Sequence, residues 1–145
     1  ANSTEIYPLY EGNYTHNDYY IYKTESIDGL KKVINYSKKI GLKVMLKPHI
    51  DLSKEPQIDV IWRGNIGETF TDSEWNKWFE SYENFLMKYA NLANDLNVEM
   101  FSMSCELIAA SKNDFHWRKL IKKVRAVYKG ILTDSANHDG EEFEK

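Results

Sequence analysis

Three short apolar runs, each preceded by an amphipathic helical stretch, constrain this chain more than any other feature. The runs cover residues 42–47, 98–104 and 131–136 and do not strictly alternate apolar with polar side chains. That pattern suits strands covered on both faces. Before the first run, Ile27, Leu30, Val33, Ile34 and Ile40 recur at helical spacing, with Ser26 able to cap the start and Gly41 the end. Before the second, Thr71-Asp72-Ser73-Glu74 is a capping-box pattern. It opens a long helix to about Leu96, whose stripe includes Trp75, Trp78, Phe79, Tyr82, Phe85, Leu86, Tyr89, Leu92, Ala93 and Leu96. Before the third, Leu120, Ile121, Val124, Val127 and Tyr128 share one side of a helix over residues 114–128, which Gly130 ends. Helix and strand alternate three times. Such an order predicts an α/β fold with right-handed crossovers and a parallel sheet.

The rest is less regular. Residues 1–23 read as a Tyr-rich loop with a short extended piece at 19–22. Residues 53–70 read as a long connection, and 139–145 as a frayed acidic tail. A length of 145 residues predicts one domain over 1–145. The net charge of −3 leaves no basic footprint for nucleic acid, and no apolar window approaches a membrane span. There is no signal-peptide pattern, and a first residue of Ala1 points to processing or to excision from something longer. Cys105 is the only cysteine, so no internal disulfide is expected. His16, His49, His116 and His138 are scattered, which predicts no metal site, and no cofactor motif is present. Sequons at Asn2, Asn13 and Asn35 point to an extracellular or secreted protein.

In a parallel α/β sheet, chemistry is done at the carboxyl ends of the strands. Glu106 comes directly after the second run. His49 and Asp51 come after the first, and Asn137 after the third. Trp62 and Arg63 stand in the long connection. Each has a plainer reading. Glu106 could cap the next segment, His49 could be a satisfied core histidine, Asp51 and Asn137 could make turns, and Trp62 could anchor its loop. The helical Trp75, Trp78 and Trp117 read as packing residues, and Cys105 as a small buried one.

Several stretches together resemble the endo-β-1,4-mannanases of glycoside hydrolase family 113. They are Gly41-Leu-Lys-Val-Met-Leu-Lys-Pro-His-Ile-Asp51, Trp62-Arg-Gly-Asn-Ile66, Trp78-Phe-Glu-Ser-Tyr82, Asn97-Val-Glu-Met-Phe-Ser102, Cys105-Glu-Leu107, Trp117-Arg-Lys-Leu-Ile121, Val124-Arg-Ala-Val-Tyr128, and Leu132-Thr with Ser135-Ala-Asn137. The resemblance implies a (β/α)8 barrel that hydrolyses β-mannosidic bonds with retention. It places this chain at barrel strands three to five, a partial barrel, with strands one, two and six to eight lacking a counterpart. It departs from the family pattern at Cys105, where Thr is more usual, and at Asp134 and His138, where aromatic side chains are expected.

The resemblance makes Glu106 the general acid/base. A retaining glycosidase needs two carboxyl groups about 5–5.5 Å apart, one protonating the leaving oxygen and one attacking the sugar. The nucleophile is expected from a segment outside this chain. A glutamate on a semi-apolar rim suits the proton donor. His49 and Asp51 would bind sugar hydroxyls or orient Glu106, Asn137 would bind a sugar hydroxyl, Trp62 would stack on a sugar face, and Arg63 would bind hydroxyls or hold a carboxylate. The expected partner is a polysaccharide or oligosaccharide, with neither nucleic acid nor membrane. An open sheet also exposes its edges, which predicts self-association or a complementary fragment. The competing reading is a non-catalytic, glycosidase-derived module for carbohydrate binding or structure.

Overall fold

The computed structural model describes residues 2–6, 14–16, 20–22, 26–50 and 62–138. Four parallel strands form one sheet in the order β1-β4-β5-β6: β1 (Asn2–Ile6), β4 (Val44–Pro48), β5 (Met100–Cys105) and β6 (Ile131–Ser135). Two short strands, β2 (Tyr14–His16) and β3 (Tyr20–Tyr22), pair antiparallel in a separate ribbon. Helix α1 (Ile27–Lys39) leads into β4, and α2 (Asp72–Asp95) connects β4 to β5. The short α3 (Ile108–Ser111) and α4 (Asp114–Val127) connect β5 to β6.

The strand order never reverses. Right-handed crossovers between successive parallel neighbours then put every helix on one side of the sheet. That is the winding of a (β/α)8 barrel, here present in part, and not that of a doubly wound sheet. The three expected strands are found within two residues of their predicted bounds. The N-terminal reading needs correction. Residues 2–6 are not loop but a fourth parallel strand, in register with β4 from Asn2↔Val44 to Ile6↔Pro48. The segment is polar and without period, so nothing local marks it; the backbone ladder of β4 selects it.

The helix ends follow the sequence. Ser26 caps α1 by accepting from the Gly29 N–H at 3.0 Å. Gly41, at φ +82°, closes it as a Schellman motif, with Leu42 N–H bonded to Ser37 O at 2.9 Å. Thr71 and Glu74 form the expected capping box at the start of α2. At its other end Asn97 takes the left-handed role at φ +50°, and Val98 N–H reaches Ala93 O at 2.8 Å. Thr71→Ala removes a side-chain acceptor from an orphan N–H. The expected loss is about 1 kcal/mol of unfolding free energy, read from the urea midpoint.

The core lies between α2 and the sheet. Trp75, Phe79, Tyr82, Leu86, Tyr89 and Ala93 are buried along α2, as the stripe predicts. Leu30 and Ile34 of α1, Leu120 and Val124 of α4, and Phe101 of β5 complete it. The predicted faces of α1 and α4 are wider than their contact with the sheet: Val33, Ile40 and Ile121 are exposed.

Two polar ties close the amino-terminal end of the sheet. Glu99 accepts from Lys38 Nζ at 2.8 Å and from Val44 N–H at 2.9 Å, joining α1, β4 and the start of β5. These contacts hold its carboxyl below the usual range. Tyr128 donates to Val98 O at 2.8 Å. Burial, with the Glu99 charge second, pushes this phenol up to about 12. Because the folded-state pKa is the higher one, the stabilisation is intact below the ordinary value of 10 and disappears as pH rises through about 12. Unfolding free energy is expected to fall across that window, and Tyr128→Phe should remove the share of the fall that Tyr128 carries. Denaturant titrations at several alkaline pH values measure it.

Candidate active site

Parallel pairing brings the ends of β4, β5 and β6 to one side of the sheet. His49 comes directly after β4, Glu106 directly after β5, and Asn137 stands two residues after β6. The structure therefore puts these three candidates on a common rim. Asp51 lies outside the described residues.

Glu106 is held in three ways. Its N–H donates to Ser135 O at 2.8 Å, which extends the β5–β6 ladder past the last strand residue. Its φ of +54° lies in the left-handed region, which costs a residue with a Cβ about 1–2 kcal/mol. Its Oε2 accepts from Arg63 Nη2 at 2.5 Å. Both side chains are largely shielded from solvent, at 18% exposure for Arg63 and 29% for Glu106. Shielding strengthens such a pair relative to one in open water. Of the two roles open to Arg63, the geometry shows it holding a carboxylate. Strain that is retained because surrounding contacts enforce it is a common mark of functional positions.

The register of the strand below shifts just before this residue. Ser102 pairs with Thr133 and Cys105 with Ser135, so two residues of β5 oppose one of β6. This is a β-bulge, which bends a strand and redirects the residues beyond it. Serines satisfy the disrupted ladder. Ser102 Oγ donates to Ser104 O at 2.8 Å and lies 3.0 Å from Ser135 Oγ. Ser104 Oγ bonds to Asp134 Oδ1, which also accepts from Ser135 N–H at 2.9 Å. From the helix side, the buried Tyr82 hydroxyl donates to Met103 O at 2.8 Å, inside the bulge. Burial, then the nearby Asp134 charge, pushes the Tyr82 phenol up and keeps it a donor. The sequence reading missed the bulge and these serines; the Ser-Met-Ser-Cys run before Glu106 is the only local signal.

The remaining candidates differ in setting. Arg63, Gly64 and Asn65 form a 3-10 turn, and Trp62 is half-buried beside it. A Cβ on Gly64 would meet the Trp62 ring at 2.1 Å, so glycine lets the indole lie against the turn. His49 is buried at 5% exposure. Asn137 is equally buried, and its Oδ1 accepts from His138 N–H at 2.9 Å, as a turn-forming residue would. Asp134 lines a groove of about 360 Å³ beside α4, with Trp117, Ile121 and Arg125. A second groove, of about 260 Å³, runs between the 3-10 turn and α3. Helix α3 was not foreseen. Among the described residues no cluster of His, Cys, Asp and Glu could hold a metal ion, and no helix is long and apolar enough to cross a membrane.

Solved structures share this fold over part of their length. A β-1,4-mannanase of glycoside hydrolase family 113 superposes with a TM-score of 0.72 and 36% identity, over 83% of this chain and 38% of that one. The family 113 β-mannanase AaManA from Alicyclobacillus acidocaldarius, in complex with ManMIm, gives 0.70 and 35%, over 81% and 37%. A third structure, of a family 113 β-1,4-mannanase complex, gives 0.76 and 32%, over 99% and 46%. The chain thus spans less than half the length of these proteins. No curated protein matches it. The sequence model of Glycoside Hydrolase Family 113 matches residues 9–145, and the chain belongs to that family.

Proposed function

We propose that this chain supplies the proton-donor side of a retaining β-glycosidase that cleaves β-1,4-mannosidic bonds. The observation that carries the reading is Glu106, fixed at a strand end by a left-handed backbone and by Arg63 at 2.5 Å. Mannan as substrate rests on the likeness to family 113 mannanases.

In this reading Glu106 gives its proton to the glycosidic oxygen as the bond to the leaving sugar breaks. A nucleophilic carboxylate from another barrel segment takes the sugar as a glycosyl ester. Glu106, now a carboxylate, removes a proton from water as that ester is hydrolysed. Arg63 positions the Glu106 carboxyl. Trp62 offers an apolar ring to the C–H face of a sugar, and His49 and Asp51 offer hydrogen bonds to hydroxyls.

The test is hydrolysis of β-1,4-mannan by the full-length protein, with the anomer of the first product followed by NMR. The expected first product is the β-anomer. An α-anomer would refute retention, and intact mannan would refute the reading. A second reading is carbohydrate binding without turnover, by a non-catalytic derivative of the fold. Oligosaccharide binding with no turnover in the same assay favours it.

A further inference from the structure

Where β5 falls out of register with β6, Met103 and Ser104 face a single residue, Asp134. We propose that Asp134 is a positioning residue for Glu106. Its carboxylate bridges the two strands across the bulge and so fixes the direction in which Glu106 leaves β5. The inference rests on the glycosidase reading and deepens it. The family pattern has an aromatic side chain at this position, so the likeness to family 113 does not by itself imply the bridge.

Three observations carry it. The first is where the bonds of Asp134 go. Its Oδ1 accepts from Ser104 Oγ on the facing strand, and from the Ser135 N–H on its own strand at 2.9 Å. A hydroxyl bonded to a carboxylate is charge-assisted and stronger than a bond between neutral groups. The neutral tie between Ser102 Oγ and Ser135 Oγ, at 3.0 Å, is the weaker partner of this bridge. The second is what lies beyond each end of it. Ser104 precedes Glu106 by two residues, and Ser135 O accepts the Glu106 N–H at 2.8 Å. Both ends therefore lead to the Glu106 backbone. The third is the state of that backbone. At φ +54° it is left-handed, a conformation that a residue with a Cβ keeps only where its surroundings impose it. A bulge by itself leaves ladder groups unpaired and imposes little. The bridge, with the Tyr82 hydroxyl bonded to Met103 O at 2.8 Å, supplies the missing constraint from two sides.

The experiment uses the full-length protein with Asp134→Ala, Asp134→Asn and Ser104→Ala. Asp134 is exposed, so replacing it leaves the core packing intact. The readout is kcat/KM on mannohexaose and on a dinitrophenyl β-mannobioside, which follows the first, bond-breaking step. Mannohexaose needs a proton from Glu106 in that step, and the dinitrophenolate departs without one. A misdirected Glu106 slows the first substrate and spares the second. Asp134→Ala is expected to lower kcat/KM for mannohexaose about 10–100-fold, with the aryl substrate at the wild-type level. Asp134→Asn keeps an acceptor oxygen and should retain most of the mannohexaose activity. Ser104→Ala should match Asp134→Ala, and the double variant should be no slower than either, because the two side chains act as one unit. Unchanged mannohexaose turnover in Asp134→Ala, with an active wild-type protein, overturns the positioning role alone. An equal loss on both substrates also overturns it, because Asp134 would then act on folding or on sugar binding. An Asn variant as slow as the Ala variant overturns the hydrogen-bonded bridge. A wild-type protein that leaves both substrates intact overturns the glycosidase reading and the positioning role with it.

Discussion

Glu106→Gln is expected to lower kcat on mannan by about 10²–10⁴-fold while oligosaccharide binding persists. The amide keeps the shape and can still accept from Arg63 at the position now 2.5 Å away. It has no acidic proton for the leaving oxygen and cannot take one from water. The size of the loss should depend on the leaving group. An activated aryl group departs without protonation, so the first step would survive and the glycosyl ester would accumulate. Azide needs no deprotonation to attack that ester. It is expected to restore turnover and to give a glycosyl azide of retained configuration. Steady-state rates on mannan and on an aryl mannoside, with and without azide, test each part. Wild-type kcat on mannan in the variant would remove Glu106 from the acid/base role.

The largest effect on stability is expected at Phe101. Its side chain is fully buried in β5, and its ring lies 5.7 Å from that of Tyr128. Phe101→Ala would remove most of that apolar volume and leave a cavity that the paired strands on either side hinder from collapsing. The expected cost is about 3–5 kcal/mol. Since domains are typically stable by only about 5–15 kcal/mol, this is enough to unfold a large fraction of the molecules near body temperature. A urea or thermal midpoint measures it. A shift corresponding to less than about 1 kcal/mol would show that the neighbours repack around the gap.

Which parts of this structure were legible in the sequence depends on the range of the interactions. Thr71 with Glu74, and Ser26 with Gly29, bond within three residues, so a local pattern reveals them. The stripe of α2 is equally local: burial along it repeats with the helical period from Trp75 to Ala93. Strand β1 was missed because Asn2-Ser-Thr-Glu-Ile6 has no apolar run, and its pairing with β4 joins residues about forty apart. Helix α3 is four residues long, too short to show a period. The bulge before Glu106 carries no glycine to announce it. Glu106, His49 and Asn137 were foreseeable as strand-end residues, because parallel β/α order fixes which end of each strand faces the others. The pairing of Arg63 with Glu106 spans 43 positions and was open until the fold was known.

The Lys38–Glu99–Val44 tie and the Arg63–Glu106 pair sit at opposite ends of β5, separated by its six residues, or about 20 Å. That separation divides the protein for anyone seeking a heat-resistant variant. Substitutions around Lys38 and Glu99 can be selected for rigidity, and those around Arg63 and Glu106 for the properties of the strand-end site. The two searches can proceed in parallel and their gains be combined, since energetic effects at sites this far apart add.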